Sequence, residues 1–471
     1  MSTATPAAIE YGDGNWALHQ AASGNRTLAR RMCQAVVLLP LFALVLLPEY
    51  VQGLGDPETK SVVYRATWGP LRMIDGLLLG LVAVHGAAWA SSRRLRVQVP
   101  RSLAVPGLGF LAAIAVAMIF GWLHRGVNLF FDWRALALGI GLYIIFAMWV
   151  QTPEDAHAAT VLFAGYMAVR IADLFVEYAR GAGDMLVGIR IPVFDGPTLS
   201  AMVFTAVLAL QMSDATDARR QKLCWMGLSA AAYLLVLLCF RRTFWAELGV
   251  ATGLLLLVER RQRGLKLLLA LGAFIAVAAM MGPSFYERMQ SMDFTSDETE
   301  FSQGNPDHVG EVLDAWEQVE RHPVLGLGLG RSFQTLRIQE WKEESVMVHN
   351  APLHVWLKYG LLGLVCYAWF HLAAFRWLWR ELRDHEPTGK MQLPQLRRQL
   401  QTASRGMTTK RDEARAVAAK PMVGAALVYL AALFVVSLGF TPWPFSSLQS
   451  TTLIAFVLAM AITGASSCRA Q

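Results

Sequence analysis

The sequence predicts an all-α polytopic membrane protein, and three observations predict it. First, 471 residues that are 55% hydrophobic and only 16% charged are too apolar for an ordinary soluble domain. Second, apolar runs long enough to cross a hydrocarbon core, about 17 to 25 residues each, recur from one end of the chain to the other. Third, these runs are unbroken, which suits helices that satisfy their own backbone hydrogen bonds in lipid; barrel strands would alternate. A soluble enzyme on a single anchor is excluded, because the spans make up most of the molecule.

Taken in order, about twelve spans are expected, at 33–51, 71–91, 103–123, 135–150, 157–178, 197–212, 223–240, 243–258, 265–282, 352–375, 421–440 and 446–464. The first is flanked by Arg26, Arg30 and Arg31 and lacks a small-residue cleavage site, so it reads as a retained helix and not as a signal peptide. Cytoplasmic loops are enriched in Lys and Arg. An inside N-terminus makes "SSRRLRVQVPRS" (91–102), "DARRQK" (217–222), "ERRQRGLK" (259–266) and the 376–420 segment all cytoplasmic. The chain then divides into an N-terminal transmembrane bundle (1–282), a large outer loop (283–350), one further span (351–375), a basic cytoplasmic loop (376–420) and a C-terminal transmembrane hairpin (421–471). The basic loop mixes both signs and reads as a solvated amphipathic helix or a disordered linker that can touch anionic lipid headgroups.

All five cysteines (Cys33, Cys224, Cys239, Cys366, Cys468) fall in or beside spans or at the inner end, so no disulfide framework is expected. The net charge of +7 is mostly the inside bias and calls for no nucleic-acid partner. Cations on the outer side are what need a reason. Arg190 lies in "GIRIPVFDGPTLS", and Arg241 and Arg242 lie in "CFRRTFWAELG", each at the mouth of a span. On the same face, "ESVMVHNAPLHVWLKYGLLG" (344–363) brings the outer loop back to the membrane through His349 and Asn350. Any one of these arginines could snorkel to lipid phosphate, and a lone interfacial histidine is often structural. Together they suit a diphosphate at the membrane surface, because a guanidinium binds phosphate oxygens in pairs and stays charged. Histidine can take a proton from an attacking hydroxyl near neutrality.

Other patterns carry less. "GLGLG" (326–330) follows no expected strand and lacks a GK[ST], so it reads as turns that bring the loop backbone close to the bilayer or to a lipid substrate. His349 and His354 do not have metal-pair spacing on a helix, no HExxH occurs, and no metal or other cofactor is expected. Asp307, Glu311, Asp314 and Glu317 are spaced as the solvated face of a loop helix, with Glu311 a candidate for sugar hydroxyls. Trp316, Trp341 and Phe333 could stack on sugar rings or anchor at the interface. Asp75 and Glu247 are the main charges expected within spans, both near the outer interface.

The ordered set "RRTFWAELGVATGLLLL" (241–257), "AWEQVERHPVLGLGLGRSF" (315–333) and "VHNAPLHVWLKYGLLGL" (348–364) resembles the bacterial O-antigen ligase and polymerase superfamily of polytopic glycosyltransferases. The likeness is strongest over about 240 to 375; "LRMIDGLLLGLV" (71–82) and the Arg190 loop look like weaker, earlier landmarks. The resemblance implies a GT-C-like, metal-independent enzyme of the bacterial inner membrane with its active site facing the periplasm. It implies a glycan donor on undecaprenyl pyrophosphate and, as acceptor, lipid A core or another glycan. By motif position His349 corresponds to the family's essential histidine, Arg242 (or Arg241, since the doubled arginine is ambiguous by one) to the arginine opening the ligase region and Arg190 to that of the preceding outer loop. Read with the chemistry above, His349 is the expected catalytic base, the arginines hold the pyrophosphate, and Asn350, Glu311 and Trp316 are expected to support them. The Arg190 loop departs from the family's Gly- and Asn-rich turn, keeping only Asp195 and Gly196 before Pro197.

A transporter is the rival of a different class, but no internal repeat of the kind carriers show is visible. Within the enzyme class a ligase, a polymerase and a protein-directed relative all offer a hydroxyl to an anomeric carbon. The compact "HN" signature and the single large outer loop favour the ligase.

Overall fold

The computed structural model describes residues 30–43, 67–68, 71–91, 99–124, 126, 129–181, 184–186, 189–192, 196–216, 218–239, 241–258, 272, 275, 304–334, 344–345, 348–384, 407–438 and 448–469. Its helices are α1 (30–43), α2 (Met73–Ser91), α3 (Arg101–Leu123), α4 (Leu129–Trp149), α5 (Pro153–Ala179), α6 (Gly196–Ala215), α7 (Arg219–Leu238), α8 (Arg242–Val258), α9 (Gly304–Arg321), α10 (Ala351–Asp384), α11 (Met407–Ser437) and α12 (Leu448–Arg469). Three antiparallel ribbons of two short strands each, β1–β2 (Thr67–Trp68, Leu71–Arg72), β3–β4 (Asp184–Leu186, Ile189–Ile191) and β5–β6 (Phe333–Gln334, Glu344–Ser345), decorate an otherwise helical fold.

Six described helices are long and apolar enough to cross a membrane: Arg101–Leu123, Asp132–Trp149, Pro153–Ala179, Gly196–Ala215, Arg219–Leu238 and Ala351–Arg383. Shorter apolar helices occupy Met73–Ala88, Pro421–Ser437 and Ser450–Ala465. The chain is thus a multi-pass membrane protein. Apart from residues 272 and 275, the span expected at 265–282 lies outside the described residues.

Local chemistry sets the helix ends. α5 starts with a full capping box, in which Thr152 accepts from Asp155 N at 3.2 Å, Asp155 Oδ2 accepts from Thr152 N at 3.0 Å, and Pro153 takes the first helical position. Asp155 also takes the Arg30 guanidinium at 2.7 Å, which pins α1 to that end of the bundle. α6 is the axis of the bundle. Nearly nine-tenths of its apolar window is buried, so it is hydrophobic all round, packed by α7, α8 and α11. Lipid tails are as apolar as leucine, so close packing holds such helices together. Phe42, Phe163 and Phe456 meet with centroids 4.9 to 5.5 Å apart, and Phe204 meets Tyr429 at 5.1 Å.

Contacts place the starts of α4, α6, α8 and α10 and the end of α11 at one end of the bundle. Asn350 bonds Leu438, Lys358 bonds Asp132, and Arg241 lies against Gly196. The opposite end holds the Arg30–Asp155 pair and the Thr463 bond to the Val150 carbonyl. α10 continues to Asp384 and α11 begins at Met407, so helices enter the 376–420 segment from both sides.

α10 is broken. Gly360 has φ +68° and ψ −172°, which separates a first half (351–359) from a second (361–384). Glycine tolerates this backbone and other residues do not. The carbonyls released at the break are taken by the "GLGLG" segment: Leu327 N donates to Leu357 O at 2.6 Å and Gly328 N to Lys358 O at 3.1 Å. Leu329 N continues to the Ala117 carbonyl of α3 at 3.1 Å. The glycine run therefore approaches other helices of this chain, which replaces the expectation that it faces the bilayer or a lipid. A methyl on Gly328 would stand 2.7 Å from Gly121 N, so the strut fits only because its glycines are bare.

Candidate active site

α9 lies against the first half of α10. Its Ala315 and Val319 pack with Leu327, Phe333, Val348, Leu353 and Leu357. Residue 311 is one helical turn before 315 and shares that inward face. Glu311 is consequently 5% exposed and Asp314 3% exposed, which corrects the expected solvated acidic face at these two positions. The spacing was helical as read, but the face that carries it is the packed one. Glu317 conforms, with an exposed Arg321 partner at 2.6 Å.

Burial of Glu311 serves His349. Its Oε2 accepts from His349 N at 3.2 Å and pairs with His349 Nδ1 at 2.9 Å. An ionised carboxylate only accepts, so the proton of a neutral ring belongs on Nδ1 and the basic lone pair on Nε2. The imidazole remains 43% exposed. A carboxylate-fixed tautomer with solvent access is the arrangement a general base needs.

Asn350 holds the next link. Its Oδ1 accepts from Leu353 N at 2.9 Å, capping α10, while its Nδ2 donates to the Leu438 carbonyl at the end of α11, at 2.8 Å. His354, one turn into α10, accepts from Val348 N at 3.4 Å. Both residues brace the backbone on either side of His349.

The arginines stand at neighbouring helix starts. Arg241 is the residue before α8, its carbonyl accepting from Phe244 N and Trp245 N at 3.1 Å. Its guanidinium reaches across to the start of α6, since a methyl on Gly196 would stand 3.8 Å from Arg241 Nη1 and 3.3 Å from the Phe244 ring. Arg242 opens α8 and is half-buried. Arg190 pairs through its backbone with Met185 in the β3–β4 ribbon, which leads within a few residues into α6. Trp316 sits on the rim of α9, bonded to Glu320 at 2.7 Å and edge-on to Trp356 at 5.4 Å; Trp341 lies outside the described residues.

Two buried charged groups lie apart from the expected site residues, one expected within the spans and one not. Glu247, inside α8, accepts from Ser200 Oγ at 3.0 Å, and that hydroxyl also meets Tyr429 at 2.9 Å, tying α8, α6 and α11 together. Lys358 is wholly buried in α10 against Asp132 at 2.9 Å. The expectation that Asp75 and Glu247 are the main buried charges is therefore incomplete. The missed signal was a lysine inside the apolar run "APLHVWLKYGLLGL" (351–364). Among the described residues no three His, Cys, Asp or Glu side chains converge as a metal site.

Residues 226–368 match the family profile described as O-Antigen ligase. That stretch contains Arg241, Arg242, Glu311, Trp316, His349, Asn350 and Lys358, and leaves Arg190 outside. A comparison with curated proteins gave no match. Over that stretch, which is under a third of the chain, the protein is similar to O-antigen ligase domains, and this supports a relation to the O-antigen ligase superfamily.

Proposed function

We propose that the protein is an O-antigen ligase-type enzyme that moves a glycan from undecaprenyl pyrophosphate to a hydroxyl of lipid A core on the periplasmic face of the inner membrane. The observation that carries this reading is the His349–Glu311 pair, 2.9 Å apart on a partly exposed ring within the matched domain. The reaction is one inverting displacement. The acceptor oxygen attacks the anomeric carbon, the bond from that carbon to the diphosphate oxygen breaks, and its electron pair leaves with the diphosphate. His349 Nε2 takes the acceptor proton, and Glu311 holds the ring and favours the imidazolium that forms.

Arg190 and Arg242, with Arg241 beside the start of α6, bind the diphosphate as charge grows on the leaving oxygen. The starts of α6 and α8 lie side by side, and the positive end of a helix dipole favours an anion. Diphosphate is a good leaving group once so held, so the reading needs neither a divalent cation nor a nucleotide. Trp316 supplies an exposed ring face at the rim for sugar.

The test is steady-state transfer by purified variants on a defined lipid-linked donor. His349→Ala is expected to keep donor affinity and lose about a hundredfold or more in kcat, the scale of a missing general base. Glu311→Gln keeps a hydrogen-bond acceptor but no charge, and should give a smaller loss in kcat of at least about tenfold. Full turnover by a correctly inserted His349→Ala would remove the histidine from the chemistry.

A further inference from the structure

The buried ion pair of α10 is not used in the chemistry above, yet it sits on the element that presents His349. Lys358 is 0% exposed, and an ammonium sealed inside an apolar helix is costly without a partner. Its partners come from two other segments. Nζ donates to Asp132 Oδ2 of the first turn of α4 at 2.9 Å and to the carbonyl of Arg331, where the glycine strut ends. The same Asp132 oxygen accepts from Gly330 N at 2.8 Å. One carboxylate thus gathers α4, the strut and the first half of α10.

That half-helix is a short rod, about 13 Å long at 1.5 Å per residue. Its N-terminal end is capped by Asn350 and preceded directly by His349. At its C-terminal end the chain breaks at Gly360, so the second half of α10 does not hold it by continuous helix. What holds it there is the strut. Leu327 and Gly328 N–H groups take the last carbonyls, Pro323 O accepts from both Leu361 N at 3.0 Å and Trp356 Nε1 at 2.9 Å, and Lys358 locks the strut's far end. Asn350, His354 and Lys358 follow at four-residue intervals and so lie on one face of the rod. His354 on that face braces Val348.

We propose that Lys358, with Asp132, is a positioning residue for transfer: the pair latches the half-helix to α4 and to the outer-loop strut, and so fixes where His349 stands relative to the bound donor. This rests on the assignment of His349 as base. A purely compensating pair would serve as well if both charges were absent. A latch would not, because the rod would then keep its strut hydrogen bonds and apolar packing but lose the directional tie to α4 and to the strut's far end.

The test uses the full-length purified protein as Lys358→Met, Asp132→Asn and the double variant. Each single change leaves one buried charge alone and is expected to lower thermal stability; the double change restores it. The positioning role predicts that the double variant nonetheless keeps a kcat at least tenfold below wild type with donor KM within about threefold, and that the amides of 351–359 exchange hydrogen at least tenfold faster. If the double variant recovers kcat to within twofold, or exchange over 351–359 is unchanged, the proposal is overturned. Lys358→Arg, which keeps the charge but crowds a sealed site, covers the case in which the double variant does not fold; lowered kcat at unchanged KM is expected and wild-type kcat refutes the latch. His349→Ala run alongside separates the two claims. Full turnover by that variant removes the base assignment, while the exchange data still decide whether the pair fixes the half-helix.

Discussion

At His349, what matters is which nitrogen Glu311 occupies. Engagement of Nδ1 leaves Nε2 as the atom that can receive a proton, and the ring's partial exposure lets a hydroxyl reach it. On the proposed reading the arginines act differently, on charge and not on a proton. Arg242→Ala should therefore weaken donor binding as well as rate, with charge-assisted hydrogen bonds worth about 1.5 to 3 kcal/mol, which is roughly tenfold to more than a hundredfold in affinity. Arg242→Lys should regain only part, because a point charge cannot make a paired contact. Donor titration of both variants checks this, and equal binding by wild type and Arg242→Ala would move the diphosphate to Arg241 and Arg190. Type and position single out His349 and the arginines as candidates, since ionisable residues at a membrane face need a reason to be there. Glu311 was legible only as an alternative. Its helical spacing was visible, but whether that face met solvent or α10 depends on packing of a distant segment, which local pattern does not carry.

At the level of elements, the site is held by two ends of one interrupted helix. Asn350 caps the start with Oδ1 and ties it to α11 with Nδ2. Asn350→Ala should cost about 0.5 to 2 kcal/mol from the cap alone. Asn350→Asp keeps the acceptor for Leu353 N and loses the donor to Leu438, so it should retain more of the stability. Thermal unfolding in detergent ranks the three proteins, and an order in which Asp falls below Ala would show that repulsion between the new carboxylate and the Leu438 carbonyl outweighs the cap it keeps. The apolar run from Ala351 onward predicted a single span. Its break at Gly360 was not legible, because a glycine inside a membrane helix is ordinary and it is the close approach of the 324–326 backbone that leaves no room for a side chain there. The same approach explains the glycine run itself, whose repeated glycines are needed where the strut threads between α3, α4 and α10.

At the scale of the whole molecule, composition and run length carried the fold class, because a chain in lipid has few ways to satisfy its backbone. Helix lengths carried less well. α10 and α11 extend beyond their apolar cores into the polar 376–420 segment, where hydropathy stops but helix propensity does not. The convergence of four helix starts and the α9–strut layer on one end gives a bundle in which a membrane-held diphosphate, a base and an exposed rim can act together. The measurement that bears most directly on this account is transfer by the purified protein in proteoliposomes, with a lipid-linked glycan donor and lipid A core as acceptor, in the presence of chelator and without ATP. The account predicts that glycan is joined to lipid A core with inverted anomeric configuration. A strict requirement for metal or ATP, or a product with retained configuration, would contradict it.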